Sequence, residues 1–248
     1  MELLLRTFRA RIPTLPRSAL IFAESLQKTL VVMVNKPPSV PAHSPLIQEL
    51  IACYCVTILT LTHDYKILLR TLQACLTRSR KDVSRSLQAA QFRPDKALAL
   101  VISMTALLAE HGDFDRIRDE QPDLELDFDK TAPNGVLESV FAMLVELFSA
   151  PHESARLIAL QSLGFLLRSH ALLWTRQETI ALMDGIFASS NSKQKELMMR
   201  ILSEYLSKEQ RKRELEMDNL AAQALKSAKK GVDMSHLTGN TEAFADSR

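Results

Sequence analysis

Apolar residues recur at three- and four-residue spacing along most of the chain, and period-two alternation of Val, Ile and Thr is almost absent. That periodicity predicts amphipathic helices and argues against a sheet. It is plainest in residues 134–230, where two copies of one helix-pair pattern lie 39 residues apart. The shift places Phe141 on Ile180, Ala142 on Ala181, Leu147 on Ile186 and Phe148 on Phe187. In the second helix of each pair it places Leu163 on Leu202 and Leu167 on Leu206. A period of about 40 with two helices per unit is the mark of HEAT- or armadillo-type repeats. The predicted fold class is therefore all-α, a HEAT-repeat-type α-solenoid in which each unit buries its apolar stripe against its neighbours.

Punctuation agrees with that division. Gly135 starts a helix and Pro151 stops it, since proline cannot continue the hydrogen-bond ladder. Glu153 suits the positive end of the next helix dipole. Thr175-x-x-Glu178 has the form of a capping box, and Ser192 is the expected cap of the last helix. Gly164 costs about 1 kcal/mol of helix propensity relative to alanine, which predicts close approach of a neighbouring helix. The last helix should continue to residue 230, with Gly231 as its stop.

Towards the N-terminus, residues 1–35 predict a short helix, a break at Pro13–Pro16 and a longer helix with Ala19, Phe22, Ala23, Leu26, Leu30 and Met33 inward. Ser44 and Pro45 open a helix apolar nearly all round, a serine cap followed by proline at the first position. Its partner begins at Tyr65, with Ile67, Leu68, Leu72, Cys75 and Leu76 inside, and Pro94 opens another. Residues 112–133 form an acidic segment of net charge −5, expected to be a long irregular loop. The expected organisation is helical repeats over 1–111, the acidic loop over 112–133, two repeats ending in a long helix over 134–230, and an irregular tail over 231–248 leading to a missing repeat.

Composition narrows the functional classes. Apolar content is 46% with few aromatics, and the net charge of +2 points to no class of partner. Cys53, Cys55 and Cys75 are an odd number on apolar faces, which fits a reducing compartment better than a disulfide framework. The longest uncharged apolar run, residues 50–61, is shorter than the roughly 20 residues a spanning helix needs. No glycine-rich phosphate loop, GxSxG elbow or HExxH occurs. No catalytic, cofactor-binding or metal site is expected. His63-Asp64 is the only seed of an enzymatic reading, and a helix-end cation beside a turn residue explains it as well. The arginine-rich, acid-poor N-terminus leaves a mitochondrial presequence as another alternative.

Two basic stretches are the candidate contacts for DNA or a partner. One is Arg78, Arg80, Lys81 and Arg85. The other is Arg211, Lys212 and Arg213, with Lys193 and Lys195 near the start of the same helix. Clustered cations on an exposed face are what phosphate contacts require. The acids Glu209, Glu214 and Glu216 interleave with the second set, as on a solvated helix.

The ordered set of stretches resembles a known family. YCVTILTLTHDYKILLRTLQACLTRSR, HGDFDRIRDEQPDLELDFD, SARLIALQSLGFLLRSHALLW, KQKELMMRILSEYLSKEQRKRE and MSHLTGNTEAF follow one another as in the C-terminal region of the cohesin-loader subunit, the Nipped-B/adherin family. Ala171 departs from the proline expected there. The resemblance implies a nuclear HEAT-repeat scaffold that helps load cohesin onto chromatin for sister-chromatid cohesion and chromosome segregation in the cell cycle. Implied partners are duplex DNA in chromatin, the SMC ATPase heads and kleisin of cohesin, and a loader partner subunit bound through an N-terminal part not present here. No membrane partner and no cofactor are implied. Proteins of that family are several times longer, so the chain is expected to be a fragment. A generic HEAT-repeat adaptor of cytoplasmic transport or trafficking is the alternative.

Overall fold

The computed structural model describes residues 1–88, 95–122, 124 and 135–238, except for the side chains of Arg17 and of residues beyond Gln223. All regular structure among them is helical. Ten α-helices follow in order: α1 (Glu2–Arg11), α2 (Leu20–Asn35), α3 (Pro45–Thr57), α4 (Tyr65–Gln88), α5 (Lys96–His111), α6 (Phe114–Glu120), α7 (Gly135–Phe148), α8 (Glu153–Ser169), α9 (Gln177–Ala188) and α10 (Ser192–Thr238). The chain divides into two compact units, Met1–Ile201 and Leu202–Arg248.

In the first unit the helices pack as consecutive pairs: α2 on α3, α4 on α5, α7 on α8. The second members form a row, α3 against α5 and α5 against α8, while α4 packs on α7 and α1 covers α3. Helix α3 carries the heaviest burial. Ile47, Leu50, Ile51, Cys53, Tyr54 and Cys55 are all fully enclosed, and each large apolar side chain among them stabilises by about 1.5–3 kcal/mol. Ser44 caps α3 as expected, its Oγ accepting from Ile47 N at 3.4 Å. Tyr54 keeps its hydroxyl satisfied by Thr71 Oγ1 of α4 at 3.0 Å. The stretch Pro45–Thr62 is long and apolar enough to span a membrane by composition, and most of it is buried inside the fold.

A polar clamp fastens the row α3–α5–α8. Arg168 of α8 donates to both carboxylate oxygens of Glu110 on α5, at 3.1 and 3.0 Å, and reaches Gln48 Oε1 of α3 at 3.4 Å. Ser169 Oγ adds a bond to Glu110 at 2.8 Å. Glu110 retains only 3% of its side-chain exposure, so this carboxylate is buried and compensated. At the other end Arg6 and Arg9 of α1 pair with Glu49 of α3 at 3.3 and 2.9 Å. Two cations of the basic N-terminus are thus engaged in helix packing.

Several local expectations change. The inward face of α2 is Ala23, Gln27, Leu30 and Val34, with Phe22 exposed. The face was misplaced because Gln27 occupies it, donating to Asp64 Oδ2 at 3.0 Å. Val83 and two serines, Ser79 and Ser86, extend the buried stripe of α4 to its C-terminal half, while Ile67 and Cys75 are only half-buried. Asp95, accepting from Leu98 N at 2.7 Å, caps α5; Pro94 lies outside the described residues. The acidic segment contains helix α6, capped by Asp113 Oδ1 on Arg116 N at 3.1 Å, and most of the remainder of 112–133 lies outside the described residues.

The Thr175–Glu178 capping box does not form. Thr175 Oγ1 donates to the Leu172 carbonyl at 2.9 Å within a 3-10 turn, Ala171–Thr175, and α9 begins after Arg176 without a side-chain cap. Asn191, not Ser192, caps α10, its Oδ1 accepting from Gln194 N at 3.1 Å. Gly231 does not stop α10, which runs on to Thr238. A single glycine costs a long helix only about 1 kcal/mol, and no left-handed turn forms there to use it. Residues 239–248 lie outside the described part.

Candidate phosphate-binding surface

Helix α4 sorts its cations by face. Arg78 and Arg85 are seven residues apart and therefore within about 20° of each other round the helix. Lys81 lies about 60° to one side, and Arg70, which the sequence reading did not single out, lies about 80° to the same side. All four are exposed. They span sixteen residues, about 22 Å of helix. Only Arg85 is engaged, donating to Asp82 Oδ1 at 3.2 Å. Arg70, Arg78 and Lys81 carry no hydrogen bond or ion pair among the described residues. Arg80 stands about 200° round from Arg78, is half-buried and has interactions of its own. Spacing along the sequence groups it with its neighbours; the helical turn separates it.

The opposite side of α4 explains why this face is free. Leu68, Leu72, Leu76 and Val83 bury against the core, and Ser79 Oγ bonds Thr105 Oγ1 of α5 at 3.0 Å. Arg70 was missed because it lies eight residues before Arg78 with apolar sequence between them. A helical-wheel count of exposed cations finds it.

The second basic stretch is arranged differently. Arg211, Lys212 and Arg213 are consecutive, so they point about 100° apart and share no face. All three are exposed, and Arg211 Nε donates to the Ser207 carbonyl at 3.1 Å. Lys193 is exposed and Lys195 half-buried. These two belong to the first unit and Arg211–Arg213 to the second.

His63 occupies a third polar cluster. Helix α3 runs on into a π-turn, Ile58–Thr62, and His63 follows in the left-handed region at φ 53°. Its Nδ1 bonds the Tyr65 hydroxyl at 2.8 Å, and that hydroxyl donates to Glu120 Oε2. Arg116 Nε donates to Glu120 Oε1 at 2.6 Å. Desolvation, then the Glu120 bond, push the Tyr65 phenol up to about 12. The Tyr65 bond, then the Arg116 bond, hold the Glu120 carboxyl below its usual range. The cluster edges a cleft of about 520 Å³ walled by Leu15, Pro16, Leu20 and Leu61. Asp64 accepts from Gln27, whereas His63 Nδ1 bonds Tyr65. No group of three or more metal-ligating side chains occurs among the described residues.

Burial pushes the Cys53 and Cys75 thiols up to about 11 and raises Cys55 further. All three cysteines are free. Comparison of the chain with protein-family models, with curated proteins and with solved structures finds no match.

Proposed function

We propose that the chain is a non-catalytic HEAT-repeat-type α-solenoid scaffold that takes part in loading cohesin onto chromatin in the nucleus, holding duplex DNA and cohesin subunits by non-covalent contacts. The solenoid reading rests on the helix pairs α2–α3, α4–α5 and α7–α8, whose second members stack in a row. The ordered resemblance to the Nipped-B/adherin family supplies the pathway. The exposed cations Arg70, Arg78, Lys81 and Arg85 on one face of α4 support the nucleic-acid contact, and this face is the observation that carries it. Arg211, Lys212, Arg213, Lys193 and Lys195 are secondary candidates, because Arg211, Lys212 and Arg213 point about 100° apart and Lys195 is half-buried.

In this mechanism the face follows a phosphate backbone while the helix stack presents neighbouring surfaces to the ATPase heads and kleisin. The scaffold biases the heads towards their engaged state and performs no bond chemistry itself. The test is binding of a short duplex by the purified chain across a salt series, with reconstituted cohesin ATPase heads and kleisin as a second ligand. Affinity falling steeply with salt, together with retention of the heads, is the expected result. A folded, helical chain that binds neither at low salt overturns the proposal. Salt-insensitive protein binding without DNA affinity moves the chain to the adaptor class.

A further inference from the structure

The second unit carries an exposed seam with its own symmetry. Leu206, Gln210, Arg213, Met217 and Leu220 follow one another along α10 at spacings of four, three, four and three, the seam spacing of a coiled coil. Leu206, Met217 and Leu220 are 61%, 67% and 61% exposed. A solitary helix gains nothing from a regular apolar seam in water. From Leu206 to Met217 the order is apolar, polar, polar, apolar in either direction, with its midpoint between Arg211 and Lys212.

We propose that this face of α10 is a self-association surface that pairs antiparallel with the same segment of a second copy of the chain. About the midpoint, Leu206 meets Met217 of the second copy and Gln210 meets Arg213 of the second copy, each contact occurring twice by two-fold symmetry. Charge selects this direction. Arg213 faces Glu209 of the second copy across one flank, with Lys212 beside it, and Glu214 faces Arg211 of the second copy across the other. Glu209, Lys212 and Arg213 carry no hydrogen bond or ion pair among the described residues, so they are available for it. Gln210 Nε2, which donates to Glu214 Oε1 at 2.9 Å, is oriented along the same flank. A parallel pair in register would instead set Arg213 against Arg213 in the seam and Glu209 against Glu214 of the second copy on both flanks, like charges in each case. The central Gln210–Arg213 layers weaken the seam and fix its register, as a buried polar layer does in coiled coils.

Sedimentation of the full chain over roughly 1 to 100 µM tests the pairing. A monomer–dimer equilibrium is expected, and a chain that stays monomeric throughout overturns the proposal. Arg213→Glu and Glu209→Arg should each weaken association about tenfold or more, and the double variant should recover most of it. Failure of the double variant to recover also overturns it, with circular dichroism confirming that the helices are retained. Direction is read by disulfide trapping in a Cys75→Ser background. Leu206→Cys mixed with Met217→Cys should cross-link, and Leu206→Cys alone should not. Cross-linking of Leu206→Cys to itself excludes the antiparallel pair.

Discussion

Ile201 of α10 packs directly onto Gly164 of α8: a Cβ at position 164 would stand 2.8 Å from Ile201 Cγ1 and 2.9 Å from its Cδ1. Both distances are shorter than a carbon–carbon contact allows, so the missing side chain is what lets these helices meet. Gly164→Ala recovers about 1 kcal/mol of helix propensity but forces overpacking that costs about 1–3 kcal/mol. The expected outcome is a net loss of stability of about 1 kcal/mol. The cost should largely vanish in an Ile201→Ala background, where the space is open. Urea denaturation of the two single variants and the double variant measures the coupling. Strict additivity would show that the two residues do not share the site.

The Glu110–Arg168 clamp makes a different prediction. Arg168→Ala leaves a buried carboxylate without its cation, which costs about 3–5 kcal/mol. Glu110→Gln keeps a hydrogen-bonding group and removes the charge, so it should cost clearly less. The pair Arg168→Ala, Glu110→Gln should be more stable than Arg168→Ala alone. Thermal unfolding of the three variants decides it: an Arg168→Ala loss no larger than that of Glu110→Gln would mean that Glu110 is well solvated.

Much of this architecture was legible in the sequence because apolar spacing records burial. Gly164 announced a close helix contact before Ile201 could be named as its source. What stayed hidden were polar residues serving the core. Gln27 sits on the buried face of α2 with its Nε2 bonded to Asp64 Oδ2 and its Oε1 left without a partner among the described residues, and Ser79 lies inside because Thr105 bonds its hydroxyl. A hydrophobicity pattern marks such positions as solvent-facing and rotates the predicted face. The cap expected at Thr175 failed for a related reason: its hydroxyl had two uses, and the 3-10 turn of Ala171–Thr175 took it. The candidate surface was legible as charge and not as geometry. Arg80 was grouped with Arg78 by sequence distance and is separated from it by the helical turn, whereas Arg70 is distant in sequence and shares the side.

The buried thiols and Tyr65 set an alkaline limit. Cys53 and Cys75 rise from 9.0 to about 11 and Tyr65 from 10.0 to about 12. In each case the neutral, protonated form is favoured in the folded state. The unfolded chain therefore loses these protons first, and stability falls as pH rises from about 9 to about 12. The contribution is complete below the unfolded values. Glu120 acts in the opposite sense: its lowered carboxyl contributes above its ordinary value of 4.5 and is lost as pH falls through the folded one. Urea midpoints at neutral pH and at about pH 10 should show the alkaline loss. Tyr65→Phe should flatten only its upper part. In the same conditions thiol reagents should label the native chain far more slowly than the unfolded one. Rapid native labelling of Cys53 or Cys55 would mean that α3 opens readily.

The α4 face makes the sharpest statement about function, because it predicts a slope as well as an affinity. Each phosphate neutralised on duplex DNA contributes about −0.9 to the dependence of log K on log salt. Four contacts from Arg70, Arg78, Lys81 and Arg85 give about −3.6, which is roughly a 150-fold loss of affinity between 50 and 200 mM salt. Replacing any one of them with glutamine should reduce the slope by about 1. The same change at Arg80 should leave the slope unaltered, since that guanidinium faces elsewhere. Binding is expected to be insensitive to base sequence, because backbone contacts carry no base information. Fluorescence anisotropy with a labelled duplex, repeated at several salt concentrations for the five single variants, reads all of this. Equal slopes for Arg80→Gln and Arg78→Gln would mean that DNA does not lie along this face of α4, and the nucleic-acid part of the proposal would fall while the helix stack stood.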